Sequence, residues 1–126
     1  MEASQKQIIE NYIKSYNAFD MVGMIENLHD NVVFENITSG EVDLSTNGLE
    51  EFKIQVEKAK QFFTTRVQTI ESWSFQDDKI TIDINYEGIL AIDLPNGAMK
   101  GDTLALTGQS EFTFRDGKII KIKDQS

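Results

Sequence analysis

The stretch EFTFRDGKIIKIKD, residues 111–124, reads as two strands joined by a tight turn at Asp116 and Gly117. Asp-Gly between alternating apolar residues is a strong short-range hairpin signal. Side chains two apart on a strand share a face of the sheet. Phe112 and Phe114 therefore form one row of the first strand, while Ile120, Ile122 and Asp124 form a row of the second. A carboxylate thus stands where the isoleucines beside it point to a core.

Working upstream, the same period of two continues through strands expected at about 101–114, 79–92 and 66–75. They are separated by RDGK, DLPNGAMK and QDDK, which carry the Asp, Asn, Gly or Pro that turns require. In the strand at 79–92, Ile80, Ile82, Ile84, Tyr86, Leu90 and Ile92 share a side with Leu94 beyond them, opposed by Thr81, Asp83, Asn85 and Glu87. In the next strand Leu104, Leu106, Gly108, Ser110, Phe112 and Phe114 oppose Thr103, Thr107, Gln109, Glu111 and Thr113. Gly108 and Ser110 are small, and small residues beside a carboxylate on an apolar face mark out room for a ligand. The four strands are expected to form an antiparallel meander.

Ahead of the meander the period is helical. Ile8, Ile9, Tyr12, Ile13 and Tyr16 make an apolar stripe within residues 4–18, and Met21 to Leu28 makes a second, short helix after a capping Asp20. NVVFENI at 31–37 is β-branched and aromatic enough for a strand, and 38–48 reads as a loop with room for a short edge strand. Leu49, Phe52, Val56, Ala59 and Phe63 stripe a third helix from about 48 to 63. Helices first and a long-stranded sheet last, without βαβ alternation, imply an α+β fold with the helices on one face of the sheet. With 126 residues and no linker or repeat in the sequence, one domain over 1–126 is expected, burying roughly two thirds of its unfolded surface.

Lys plus Arg number 12 against 21 Asp plus Glu, a net charge of −9 that repels phosphate backbones and anionic membranes. Nucleic acid and membrane are therefore not expected as partners. The N-terminus shows no signal-peptide pattern and no apolar run approaches ~18 residues, so a cytoplasmic protein is expected. There is no cysteine and a single histidine, which excludes disulfides, thiol nucleophiles and thiolate or His-rich metal sites. No metal or cofactor is expected.

ENYIKSYNAFDMVGMIENLHDNVVFEN at 10–36 and LPNGAMKGDTLALTGQSEFTFRDGKIIKIKD at 94–124 together resemble the nuclear transport factor 2-like superfamily, especially its SnoaL-like and ketosteroid-isomerase-like members. The resemblance covers nearly the whole chain. It implies a cone of three N-terminal helices on a strongly curved, mostly antiparallel sheet, a cystatin-like α+β barrel with a deep apolar pocket, and a homodimer through the sheet. It does not imply one chemistry, since the fold hosts isomerases, cyclases, hydrolases, dehydratases and proteins without catalysis.

Residue by residue, the resemblance is partial. Tyr12 matches a helix-one tyrosine that donates to a developing oxyanion in the ketosteroid isomerases. Asn36 falls, by ungapped count, where those enzymes keep an aspartate base, and Ser110 where they keep a protonated aspartic acid. That steroid chemistry is therefore not expected. Asp124 matches an acidic aspartate on the closing strand of the epoxide-hydrolase branch, but Ile89 and Glu87 stand near the places of that branch's second aspartate and arginine.

The candidate set is Asp124 and Tyr12 as catalytic groups, with Asn36, Trp73, Tyr86, Gly108, Ser110 and Phe52 binding a small apolar molecule. The chemistry is acid-base work of the isomerase, cyclase or hydratase type, and the alternative is a non-catalytic binding or dimeric interaction protein. Each candidate has a plainer reading: Asp124 as a solvated strand end, Tyr12 as a core tyrosine, Asn36 as a backbone partner. Trp73 shares parity with Val67, Glu71 and Phe75, which makes Glu71 an alternative pocket carboxylate, unless a β-bulge reverses the row. His29 reads as a surface loop residue, Glu41, Asp43, Glu50 and Glu51 as a solvated charge run, and GQSEF lacks the second glycine of a nucleophile elbow.

Overall fold

The computed structural model describes residues 2–126, with Glu2 described by its backbone alone. Helix α1, Glu2–Asn17, lays Ile9, Tyr12 and Ile13 on the core, all buried. Phe19 then takes a left-handed backbone (φ 57°) that breaks the helix. Asp20 caps α2, Met21–Ile25, by accepting from the Gly23 amide at 3.1 Å. The second helix is shorter than its periodicity suggests, because Leu28 already opens strand β1, Leu28–Thr38. His29 accordingly lies in a strand, its Nδ1 accepting from the Asn31 amide.

Residues 41–47 form an edge strand, β2 (Glu41–Asn47), paired antiparallel with β1. Helix α3 is Leu49–Lys60, with Phe52 and Val56 buried, and the Glu51 carboxylate reaches back to the Asn47 amide. Glu50 pairs with Lys53 at 3.3 Å, and Asp43 accepts from Asn36 and Thr38. Asp43, Glu50 and Glu51 of the acidic run are thus used in local contacts, and among the described residues no group of three His, Cys, Asp or Glu is placed to hold a metal ion.

The remaining strands are β3 (Phe63–Gln76), β4 (Lys79–Leu90), β5 (Thr103–Arg115) and β6 (Lys118–Gln125), antiparallel in sequence order. Strand β4 ends two residues short of the expected boundary, and Ile92 lies in the following loop. The six-stranded sheet runs β2-β1-β6-β5-β4-β3, with β1 and β6 parallel. It is mixed, mostly antiparallel and not closed into a barrel, with the helices packed against it, so the expected α+β architecture holds.

Rows alternate as parity predicts in β4, where Ile80, Ile82, Ile84 and Leu90 are buried and Asp83, Asn85 and Glu87 exposed. Two bulges change the rows elsewhere. In β6 the pairing skips Ile120, so Ile119 is the isoleucine fully buried beside Ile122. In β3 the pairing skips Glu71, which shifts the inward row from Arg66, Gln68 and Ile70 to Trp73 and Phe75. One extra residue in a period-two element turns every later side chain over.

The core joins α1, α2 and α3, through Ile9, Met24, Phe52 and Val56, to Val32, Ile80, Ile82, Phe112, Ile119 and Ile122 of the sheet. Among the described residues no helix is long and apolar enough to cross a membrane.

Candidate functional site

Between the helices and the sheet lies a cavity of about 400 Å³. Its walls include Tyr12 and Tyr16 from α1, Phe34 and Asn36 from β1, Phe52 from α3, Tyr86 from β4, Gly108 and Ser110 from β5, and Asp124 from β6. That volume lies within the range of small-molecule sites.

Asp124 is held inside the strand. Its neighbours Gln125 and Ser126 are tied to β1, with Gln125 paired to Ile37 and the Ser126 amide donating to the Ile37 carbonyl. Ser110, itself buried, donates its hydroxyl to Asp124 Oδ1 at 2.6 Å. Burial raises the carboxyl pKa to about 6, and the Ser110 hydrogen bond, which favours the ionised form, pulls against that rise. Ser110→Ala is therefore expected to move Asp124 further upward from about 6. An NMR titration of the carboxyl carbon reads this directly, and a downward move would contradict the arrangement.

Three phenols share the cavity. Tyr12 packs edge-to-face on Phe112, and its hydroxyl pKa is raised well above the ordinary value by burial and by the nearby Asp124 charge. The Tyr16 and Tyr86 hydroxyls lie 3.4 Å apart, a long hydrogen bond, with their rings also edge-to-face. Burial raises both of their pKa values as well. All three hydroxyls keep their protons near neutral pH and remain donors. Asn17 fixes the end of α1 to β3 through both atoms of its side-chain amide, donating to the Gln68 carbonyl and accepting from its amide. Tyr16 is thereby set opposite Tyr86.

The other sequence candidates separate into two groups. Phe52 lines the cavity edge-to-face with Phe34. Asn36 lies on the wall, but its amide donates to Asp43 at 2.9 Å and to Thr38 at 3.4 Å. Gly108 is on the wall too, yet much of the room it leaves is filled by protein: a Cβ there would sit 2.5 Å from the Gln125 carbonyl oxygen. Trp73 does not line the cavity. The bulge at Glu71 carries it to the core beneath α1, stacked on Phe75 and covered by the Lys6 ammonium, and turns Glu71 out to Asn85. Tyr16 escaped the candidate set because its helical spacing identifies it equally well as core.

The family profile described as SnoaL-like domain matches residues 9–122. The chain belongs to the SnoaL-like domain family. No curated protein matches its sequence. Among solved structures, the SnoaL-like chain is similar to a proposed polyketide cyclase from Xanthomonas campestris, with TM-score 0.82 and 16% identity over 98% of this chain and 90% of that one. A proposed polyketide cyclase from Streptomyces antibioticus follows the fold with TM-score 0.74 and 18% identity, covering 94% and 88% of the two chains. A proposed hydroxylase from Streptomyces galilaeus does so with TM-score 0.76 and 16% identity over 97% and 87%. At such identities the SnoaL-like fold is what these structures share. They bear out the resemblance read from the sequence and extend to cyclase-type relatives.

Proposed function

We propose that residues 1–126 act as one domain that takes a small, largely apolar, oxygen-bearing molecule into the cavity and performs acid-base chemistry on it, cyclisation foremost. The observation that carries this is Asp124: a carboxyl with a pKa of about 6, bonded to Ser110, on the wall of a cavity shared with three phenols. A group titrating there is ionised often enough at neutral pH to take a proton and still acidic enough to return it. The proposed cyclase relatives support this choice among acid-base reactions.

The reaction balances within the protein and one ligand. Asp124 removes a proton from carbon beside a carbonyl, and the bonding pair passes to that oxygen as an enolate. The enolate carbon bonds to a second carbonyl carbon of the same molecule, and the alkoxide formed there recovers the proton from Asp124. Nothing is consumed. Tyr12 donates to the oxygen on which charge develops, a role it fills better than Asn36, whose amide hydrogens are engaged by Asp43 and Thr38. Isomerisation uses the same proton transfers without the carbon–carbon bond.

The proposal includes a homodimer through the outer sheet face, where Val67 and Ile89 are exposed, and a cytoplasmic location. The test is NMR of the labelled protein with β-diketones and hydroxylated aromatic ketones. Shifts grouped on Tyr12, Phe52, Tyr86 and Ser110 are expected. Shifts confined to the outer face, or none across such a panel, would remove the cavity as a binding site. A sedimentation mass of one chain would remove the dimer alone.

A further inference from the structure

Arg66, on β3, is 2% exposed, although an arginine keeps its charge at any pH the fold survives. Its Nε donates to the Tyr16 carbonyl at 3.0 Å, near the C-terminal end of α1. Its guanidinium lies 3.7 Å from the centre of the Tyr16 ring and 4.4 Å from that of Phe19. Among the described residues it has no carboxylate partner, and its Nη2 is buried without a hydrogen bond. Arg66 does not itself line the cavity; the Tyr16 ring it packs against does.

A buried cation against a phenol ring draws electron density away from the hydroxyl and makes it a stronger donor. The charge reaches further than Tyr16, because it also lowers the otherwise raised pKa values of Tyr12 and Tyr86. The cavity thus has two polar ends of opposite character. One is the Ser110–Asp124 pair, which becomes negative as Asp124 ionises. The other is the Tyr16–Tyr86 hydroxyl pair backed by a fixed positive charge.

We propose that Arg66 is a positioning residue that makes the Tyr16–Tyr86 hydroxyl pair a receptor for a negatively polarised oxygen, so that the ligand presents an enolate, phenolate or carboxylate oxygen there. This rests on the cavity being the ligand site and adds the class of group bound at its α1–β3–β4 end. The groups that bear on that oxygen are Tyr12 and Tyr16 from α1, Tyr86 from β4, Arg66 from β3 and Asp124 from β6.

The test uses a nitrophenol whose visible absorbance distinguishes phenolate from phenol. It is bound to the Asp124→Asn protein so that no carboxylate opposes the bound anion. The bound probe is expected to ionise about one pH unit below the free probe, equivalent to roughly tenfold preference for phenolate. Arg66→Gln should still bind the neutral phenol but lose that preference, whereas Arg66→Lys, which keeps the charge, should retain most of it. Loss of the α1 end bond alone would weaken folding without erasing the ionisation preference. An unchanged preference in Arg66→Gln would overturn the assignment while leaving the cavity as a ligand site. Failure of the Asp124→Asn protein to bind any phenol would instead count against the cavity itself. Should Arg66→Gln not fold, Tyr16→Phe decides: it keeps Arg66 in place and removes the receiving hydroxyl, and a full preference for phenolate in it would overturn the proposal.

Discussion

Asp124→Asn is expected to stabilise the protein at pH 7.5 by about 2–3 kcal/mol and to leave it nearly unchanged at about pH 3. The carboxyl holds its proton more tightly in the folded chain, with a pKa of about 6 against 3.8 for a free group. A raised acid pKa means that ionisation opposes folding. Well below 3.8 both states are protonated and the opposition is absent; it grows between 3.8 and about 6, where only the unfolded chain ionises, and is complete above that. Each tenfold change in proton affinity corresponds to about 1.4 kcal/mol, and the Ser110 hydroxyl still has an amide oxygen to bond in the variant. For a chain of this length the unfolding midpoint should rise by roughly 10 °C at pH 7.5. The same substitution should lower turnover of any substrate by about 10²–10⁴-fold, since an amide cannot exchange the proton. Equal midpoint changes at both pH values would show that Asp124 is not a desolvated acid. Full activity in the variant would remove it from the chemistry.

Gly108→Ala should destabilise the fold by about 1–3 kcal/mol, the range for forcing an extra carbon into occupied space. The obstruction is backbone, the Gln125 carbonyl oxygen, so no side chain can swing aside to relieve it. Strand β6 must move at the residue next to Asp124. Ser110 pairs across to Asp124 and Gln109 to Gln125, so the movement should lengthen the Ser110–Asp124 bond and admit water to the carboxyl. The longer bond by itself would raise the pKa, but burial is the larger cause, so admitted water should bring it down from about 6 toward the ordinary value. Thermal unfolding with an NMR titration measures both effects. Wild-type stability and an unmoved titration would mean that the end of β6 is not confined by β5.

Much of this site follows from residue order alone, up to the points where registers slip. The rows of β4 and β5 were legible because no bulge interrupts their mutual pairing. Tyr86, Gly108 and Ser110 could therefore be assigned to one face by counting. Asp124 was legible for the same reason, because the bulge at Ile120 lies upstream of it and Ile122 shares its face. Trp73 was misplaced and Arg66 overlooked through a single event, the extra residue at Glu71. Counting back by twos from Trp73 selects Val67, whereas the inward side chain is Arg66. An α-helical stripe cannot separate a tyrosine that fills the core from one that faces a cavity, so Tyr16 carried no distinguishing mark. The parallel pairing of β1 with β6 left no pattern either, because it depends on contacts between segments far apart in sequence.

Strand β6 lies between β1 and β5, so in the sheet the β2–β1 ribbon and the β3–β4–β5 ribbon meet only through it. Neither ribbon alone places Ser110 against Asp124 or encloses the space between the phenols. The strand that bears the acid is the seam of the sheet, and the carboxyl acquires its unusual acidity only when the seam closes. Partly assembled forms of the chain would hold an ordinary aspartate, so proton affinity at this position appears in the same cooperative step as the native topology.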